Sequence, residues 1–172
     1  INAINEVKMK TSKKIRAFII GDGEEKDRLI ELLNCIGLDY VEWQQKQVSA
    51  TITFTSWIKD VDWANAGLDI ITLSSLNEGT PVSLIEAQAS NNPIVTTNVG
   101  GVENIVLKNK TAFITESGNL EQFSEAILRL VINDKLRSEM GLKGWLFVKK
   151  EFHYSRLIFD VKELYYSLTN NK

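Results

Sequence analysis

Two carboxylates eight positions apart, Glu78 and Glu86, bracket the stretch Gly79-Thr80-Pro81-Val82-Ser83-Leu84-Ile85. That stretch reads as a turn opening a helix. Thr80 suits an N-cap and Pro81 the first helical position, which leaves the N–H groups of Val82, Ser83 and Leu84 without partners inside the helix. Bare N–H groups at the positive end of a helix dipole attract an anion such as a phosphate. The preceding run, Gly67-Leu68-Asp69-Ile70-Ile71-Thr72-Leu73, is short, apolar and partly β-branched, so it reads as a buried parallel strand. The acids then stand at a strand's carboxyl end, where open α/β sheets hold their ligands. Val82, Leu84, Ile85, Ala87 and Ala89 make the helix apolar around most of its circumference, so the Glu86 carboxylate is expected to be paired or bound. Glu78 sits on a loop after a strand, a ligand-facing position or an exposed turn acid.

A second glycine-rich turn, Gly21-Asp22-Gly23-Glu24-Glu25-Lys26, begins like a dinucleotide fingerprint but carries Lys26 where the third glycine belongs. Glu24 and Glu25 would lie where pyrophosphate oxygens need to sit and would repel them. The turn therefore reads as a strand-to-helix connection whose exposed edge could face a nucleotide base. Trp57, just past the Thr53-Phe54 strand end, could lie beside the same base. His153 is the one histidine and Cys35 the one cysteine, which excludes a disulfide framework and a cysteine/histidine zinc site; a carboxylate-only metal site stays open. His153 reads as a polar residue at a helix junction and Cys35 as a small core hydrophobe beside Leu32 and Ile36.

Twenty basic and twenty-two acidic residues give a formal charge of -2, with no basic block to neutralise a row of phosphates, so nucleic acid is a poor partner. No apolar stretch approaches the roughly 20 residues of a membrane span, and the start of the chain lacks a signal core, which makes a cytoplasmic protein the simplest reading. The absence of an initiating methionine suggests a piece of a longer protein. The 172 residues, 44% of them hydrophobic, suit one domain.

The elements alternate. Strands are expected at Ile15 to Ile20, Thr51 to Phe54, Leu68 to Leu73, Pro93 to Thr97 and Ala112 to Thr115. Helices are expected over Glu24 to Ile36, Asp60 to Ala66, the stretch through Glu86 to Asn92, Val102 to Leu107 after the Gly100-Gly101 turn, Asn119 to Asn133, Asp134 to about Lys150, and Tyr154 to Leu168. Leu38 to Ser49 fits as a loop, a short strand or a hairpin. The aromatic set Phe152, Tyr154, Phe159, Tyr165 and Tyr166 is expected to dock the last helix, and Asn170 to Lys172 to fray. Alternation of this kind predicts an α/β fold with a doubly wound parallel sheet.

In this order and at about this spacing, several segments resemble the donor-binding half of the group 1 glycosyltransferases, the retaining family 4 enzymes of GT-B architecture. They are Ile19-Ile20-Gly21-Asp22-Gly23, Ile52-Thr53-Phe54, Ala66 to Ile70, Ser74-Ser75 before Asn77 to Pro81, Leu84-Ile85-Glu86-Ala87, Asn92 to Val95 and Val99-Gly100-Gly101. The resemblance implies a Rossmann-like, nucleotide-sugar-binding domain over residues 1–172, with helix 153–169 packing toward an amino-terminal domain. Glu86 would be the second acid of the family's E-x7-E motif and hydrogen-bond the donor ribose; Glu78 would be the first and face the donor sugar. Gly79, Thr80, Pro81 and Val82 at the helix start would serve the sugar or the distal phosphate, and Gly21, Ser56 and Trp57 would border the base. The family's arginine and lysine clamp on the diphosphate would lie upstream of Ile1. Departures are the Thr55-Ser56 region where a glycine is usual, Asn104 in place of a glutamate and Ala112 near an expected glycine.

The resemblance implies transfer of a sugar from a UDP- or GDP-sugar to a saccharide or lipid-linked acceptor in polysaccharide or glycolipid synthesis, with no metal and no cofactor beyond the donor. The setting would be the cytoplasm, extending to peripheral contact with the inner membrane surface. The rival expectations are a non-catalytic nucleotide-sugar-binding or scaffolding module and a nucleotide-sugar epimerase, which needs acid/base groups that this half does not visibly supply.

Overall fold

The computed structural model describes residues 1–44 and 49–169. In chain order the elements are α1 (Asn2–Lys10), β1 (Ala17–Ile20), α2 (Lys26–Ile36), β2 (Tyr40–Glu42), β3 (Ile52–Ser56), α3 (Val61–Ala66), β4 (Ile71–Leu73), α4 (Val82–Ala89), β5 (Ile94–Thr97), a single 3-10 turn (Val102–Asn104), β6 (Ala112–Thr115), α5 (Leu120–Ile132), α6 (Asp134–Glu151) and α7 (Tyr154–Thr169). All ladder pairings are parallel, and the strands form two three-stranded sheets, β1-β3-β2 and β4-β5-β6. The expected α/β, parallel-stranded architecture is present, divided at its middle rather than continuous.

Side-chain alternation along the strands explains why helices cover both faces. Val95 and Phe113 point to a cluster built with Phe123, Ile127 and Leu130 of α5 and Val7 of α1. Their neighbours Ile94 and Ala112 point the other way, to Leu84 and Ala87 of α4 and to Val102 and Ile105. The pleat sends successive residues to opposite faces, so a strand covered on both sides must be apolar without interruption. All four residues of β5 are accordingly buried. In the other sheet Ile52 and Phe54 pack with Leu33 of α2, with Ile4 of α1 and with Ile1 just before that helix. Full burial of a side chain such as Leu33, Leu84 or Leu130 stabilises the fold by roughly 1.5–3 kcal/mol.

Several expectations are corrected. Helix α1 was not legible in the sequence pattern. The helix expected from Val102 to Leu107 is only the 3-10 turn, because Ile105 and Val106 are drawn into the core and the Thr111 hydroxyl accepts the Leu107 N–H at 2.9 Å. Strand β4 is shorter than expected. Leu38 to Ser49 resolves into strand β2, with residues 45–48 outside the described set, as are Asn170 to Lys172. Cys35 is exposed rather than part of the core, since the inward face of α2 is occupied by Leu33. Helix α7 buries none of its residues, and Tyr154, Phe159, Tyr165 and Tyr166 on it are exposed instead of docking it, while Phe152, just before it, meets Phe147 of α6 edge-on with ring centroids 5.9 Å apart. Helix α6 crosses the end of α4 so closely that a Cβ on Gly141 would lie 1.9 Å from the Asn91 carbonyl oxygen.

Candidate functional site

The loop between β4 and α4 carries Glu78, Gly79 and Thr80, and it is held from outside by the turn after β5. The Gly101 N–H donates to the Gly79 carbonyl at 2.8 Å. A Cβ on Gly100, whose φ is +51°, would lie 1.7 Å from the Glu78 carbonyl oxygen, and one on Gly101 would lie 2.5 Å from that of Gly79. Only glycine fits this contact, so the pair fixes the backbone beneath the first acid. At the base of the loop, the Thr97 hydroxyl donates to the Ser75 carbonyl at 2.7 Å. The sequence showed Gly100-Gly101 only as a turn; its packing against residues some twenty positions earlier has no local signal.

The helix start differs from expectation by one position. Pro81, with φ −72° and ψ 99°, is itself the N-cap, Thr80 lies outside the helix, and no side chain caps the end. Extended backbone at the cap is the geometry that proline's fixed φ allows. The Leu84 N–H is not free, for it donates to the Pro81 carbonyl at 3.1 Å. The N–H groups of Val82 and Ser83 remain without an acceptor among the described residues, and both side chains are exposed. The anion-attracting end of α4 thus consists of two donors rather than three.

Glu86 is exposed, in contrast to the burial expected of it. The buried stripe of α4 is Leu84, Ala87 and Gln88, at helical spacing, and Glu86 falls on the opposite side with Val82 and Ser83. The apolar neighbours of Glu86 in sequence are not its neighbours in space. Neither the Glu86 nor the Glu78 carboxylate makes an ion pair or hydrogen bond among the described residues, and Glu78 is half-buried. Two unpaired carboxylates therefore flank two unpaired N–H donors at a strand's carboxyl end.

A separate pocket of about 240 Å3 lies where β1 and β3 end, lined among others by Gly21, Asp22, Lys26, Leu29, Phe54 and Ser56. Gly21 and Ser56 meet directly: the Gly21 N–H donates to the Ser56 carbonyl at 3.0 Å, and Ser56 adopts φ +58°. The Ser56 hydroxyl donates to the Asp22 carboxylate at 2.7 Å, and the Gly23 N–H donates to its other oxygen at 2.9 Å. The Ser56 bond first, then the Gly23 N–H, holds the Asp22 carboxyl below its ordinary pKa. No local pattern around Asp22 signals this role, because it depends on Ser56, at the end of a different strand. Trp57 is exposed and lies outside the pocket lining. Among the described residues no cluster of three metal-ligating side chains occurs, and no helix is long and apolar enough to cross a membrane.

The family model described as "Glycosyl transferases group 1" matches residues 1–133. The chain belongs to that family. Among curated group 1 relatives it is 27% identical to the lipopolysaccharide core biosynthesis glycosyltransferase LpsE of Rhizobium meliloti over 127 residues, 74% of this chain and 34% of that protein. It is 26% identical over 155 residues to the UDP-Gal:alpha-D-GlcNAc-diphosphoundecaprenol alpha-1,3-galactosyltransferase of Escherichia coli, 90% of this chain and 37% of that protein. The chain thus spans about a third of the length of the curated relatives it matches. Its fold matches the C-terminal domain of the group 1 glycosyltransferase LpcC from Francisella tularensis at a TM-score of 0.73 and 21% identity, covering 88% of this chain and 76% of that one. It also matches Anabaena HepE, solved in complex with UDP, at a TM-score of 0.78 and 16% identity, covering 96% and 44%. The fold is therefore that of a GT-B glycosyltransferase domain.

Proposed function

We propose that this group 1 glycosyltransferase domain binds a nucleoside diphosphate sugar, UDP- or GDP-linked, and that the whole protein transfers the sugar, with retention of configuration, to a saccharide or lipid-linked acceptor at the cytoplasmic face of a membrane. The observation that carries this reading is the Glu78–Thr80 loop pinned by Gly100 and Gly101 at the bare end of α4. Departure of a diphosphate concentrates negative charge on its oxygens, and preorganised N–H dipoles aimed at that charge are what lowers the barrier. The Val82 and Ser83 N–H groups supply two such donors. Glu78 faces the sugar, Glu86 accepts hydrogen bonds from the ribose hydroxyls, and the Gly21–Ser56 pocket takes the base.

An exposed, unpaired Glu86 suits this role, since a carboxylate already paired within the protein would have no acceptor capacity left for ribose. The two acids act as orienters, unlike the acid and base of a glycosidase, which flank one bond about 5–10 Å apart. No metal or cofactor enters the scheme. The acceptor site lies in the remainder of the protein, toward which α7 packs, so residues 1–172 alone fold and bind donor without transferring sugar. Calorimetric titration of the whole protein with UDP and GDP tests the reading: binding of either one, weakened in Glu86→Ala, is expected, and no binding of either overturns it. Incubation with donor alone must leave the sugar's configuration unchanged, because epimerisation needs no acceptor.

A further inference from the structure

Gln88 lies two positions after Glu86, on the buried face of α4, and is wholly enclosed. Its Nε2 donates twice, to the Leu84 carbonyl one turn back at 3.1 Å and to the Ile105 carbonyl at 2.8 Å. Two carbonyl oxygens at one end of the amide settle which end is nitrogen, because an oxygen placed there would meet only acceptors. The other end, Oε1, finds no donor among the described residues. Helix α6 stands against the side chain, for a Cβ on Gly144 would lie 3.1 Å from the Gln88 Cγ, which leaves the amide little room to turn.

A buried amide with one end unmet is not what stability alone selects, since an unpaired buried acceptor costs free energy. An apolar side chain of similar volume would remove that acceptor. It would also leave the Ile105 carbonyl without a donor, because no second one reaches it among the described residues. The two changes roughly offset, so the amide contributes direction rather than stability. Leu84 and Ala87 of α4 pack with Val102 and Ile105 through apolar contact, which is non-directional and tolerates sliding. The bond from Gln88 to Ile105 fixes how far the helix and the turn after β5 can slide past each other.

From Ile105 the chain leads back to the first acid. The Ile105 N–H donates to the Val102 carbonyl at 3.1 Å and the Asn104 N–H to the Gly101 carbonyl at 3.1 Å, so the turn is a stiff link. At its head, Gly101 carries the bond to Gly79. Helix α4, the Gln88–Ile105 bond, the turn, the Gly101–Gly79 bond and residues 79–81 thus close a ring, with Glu78 beside one junction and Glu86 on the helix.

We propose that Gln88 is a positioning residue: by closing this ring it fixes Glu86 and the Val82 and Ser83 N–H groups relative to Glu78. Gln88 touches no ligand itself and acts through α4 and the turn. The inference rests on the reading of this site as the donor pocket, and the experiment separates the two.

The test compares the whole protein with Gln88→Leu and Gln88→Met, which keep the volume and lose the amide. The urea midpoint of both variants is expected to stay within about 0.5 M of the parent's, because one unpaired acceptor replaces another. The Gly101 amide is expected to exchange roughly tenfold faster, as the turn loosens from α4. Affinity for UDP or GDP, whichever the parent binds, is expected to fall roughly 2- to 30-fold, the range of substitutions that act on a site without touching its ligand. Unchanged Gly101 exchange overturns the proposal, and so does faster exchange with unchanged affinity. Failure of both variants to fold overturns it as well, since Gln88 would then serve stability rather than position. If the parent itself binds neither nucleotide, the donor reading falls and this role falls with it, whereas loss of affinity confined to Glu86→Ala leaves that reading standing and removes Gln88 alone.

Discussion

The N–H of Gly101 donates to the carbonyl of Gly79 at 2.8 Å, tying the turn after β5 to the acid-bearing loop after β4. The bond puts two adjacent strands' carboxyl ends under one constraint, so the position of Glu78 is set by β5 as much as by its own strand. In a site that works by preorganised dipoles, that rigidity is part of the chemistry.

Gly100→Ala tests the constraint. The new Cβ would clash with the Glu78 carbonyl oxygen at a backbone φ of +51°, so both overpacking and left-handed strain apply. A loss of roughly 2–4 kcal/mol of stability is expected from urea unfolding, with weaker donor binding in whatever folds. Gly23→Ala, where nothing lies within 4 Å, serves as the control and is expected to stay within about 0.5 kcal/mol of the parent.

Glu86 separates folding from binding. Its carboxylate is exposed and has no partner among the described residues, so Glu86→Gln is expected to leave the urea midpoint unchanged within about 0.5 kcal/mol. A charge-assisted bond to ribose is worth about 1.5–3 kcal/mol, so UDP or GDP affinity should fall roughly 10- to 150-fold. An unchanged affinity, measured calorimetrically, removes Glu86 from the site.

The strands and most helices were legible because burial on both faces demands uninterrupted apolar runs such as Ile94 to Thr97, and because α5 shows its stripe of Phe123, Ala126, Ile127 and Leu130 openly. Helix α1 was not, since it buries only Ala3 and Val7 in a mostly polar segment. The motif loop was legible as chemistry but not as geometry. Proline fixed where α4 begins only to within one residue, and the exposure of Glu86 depended on which face of α4 meets the sheet. The Gly101–Gly79 bond, the Ser56–Asp22 pair and the split between β1 and β4 are relations between distant residues, which no local pattern encodes.

Asp22 gives a pH test with a definite sign. Its folded pKa is depressed, chiefly by the Ser56 hydroxyl and next by the Gly23 N–H. The carboxylate's contribution is therefore fully present above the ordinary aspartate range, near pH ~4, and lost as pH falls through the lower folded value. In Ser56→Ala the Asp22 titration, followed by NMR of its side-chain carboxyl carbon, should move upward toward the ordinary value. A titration that does not move means that the hydroxyl is not the main cause.

Helix α7 presents Leu157, Val161, Leu164 and Leu168 in one stripe at helical spacing, and they are 64%, 42%, 58% and 66% exposed. An apolar stripe of this length is worth covering, at roughly 1.5–3 kcal/mol for each leucine taken fully out of water. If α7 packs against the rest of the protein, Leu164→Asp has two different consequences. In residues 1–172 alone the side chain is already in water, so the urea midpoint should hold within about 0.5 kcal/mol. In the whole protein the aspartate would be buried against an apolar surface, and unfolding should become easier by about 2 kcal/mol or more, with sugar transfer reduced and nucleotide affinity preserved. Equal behaviour of the two proteins would show that α7 faces solvent in both.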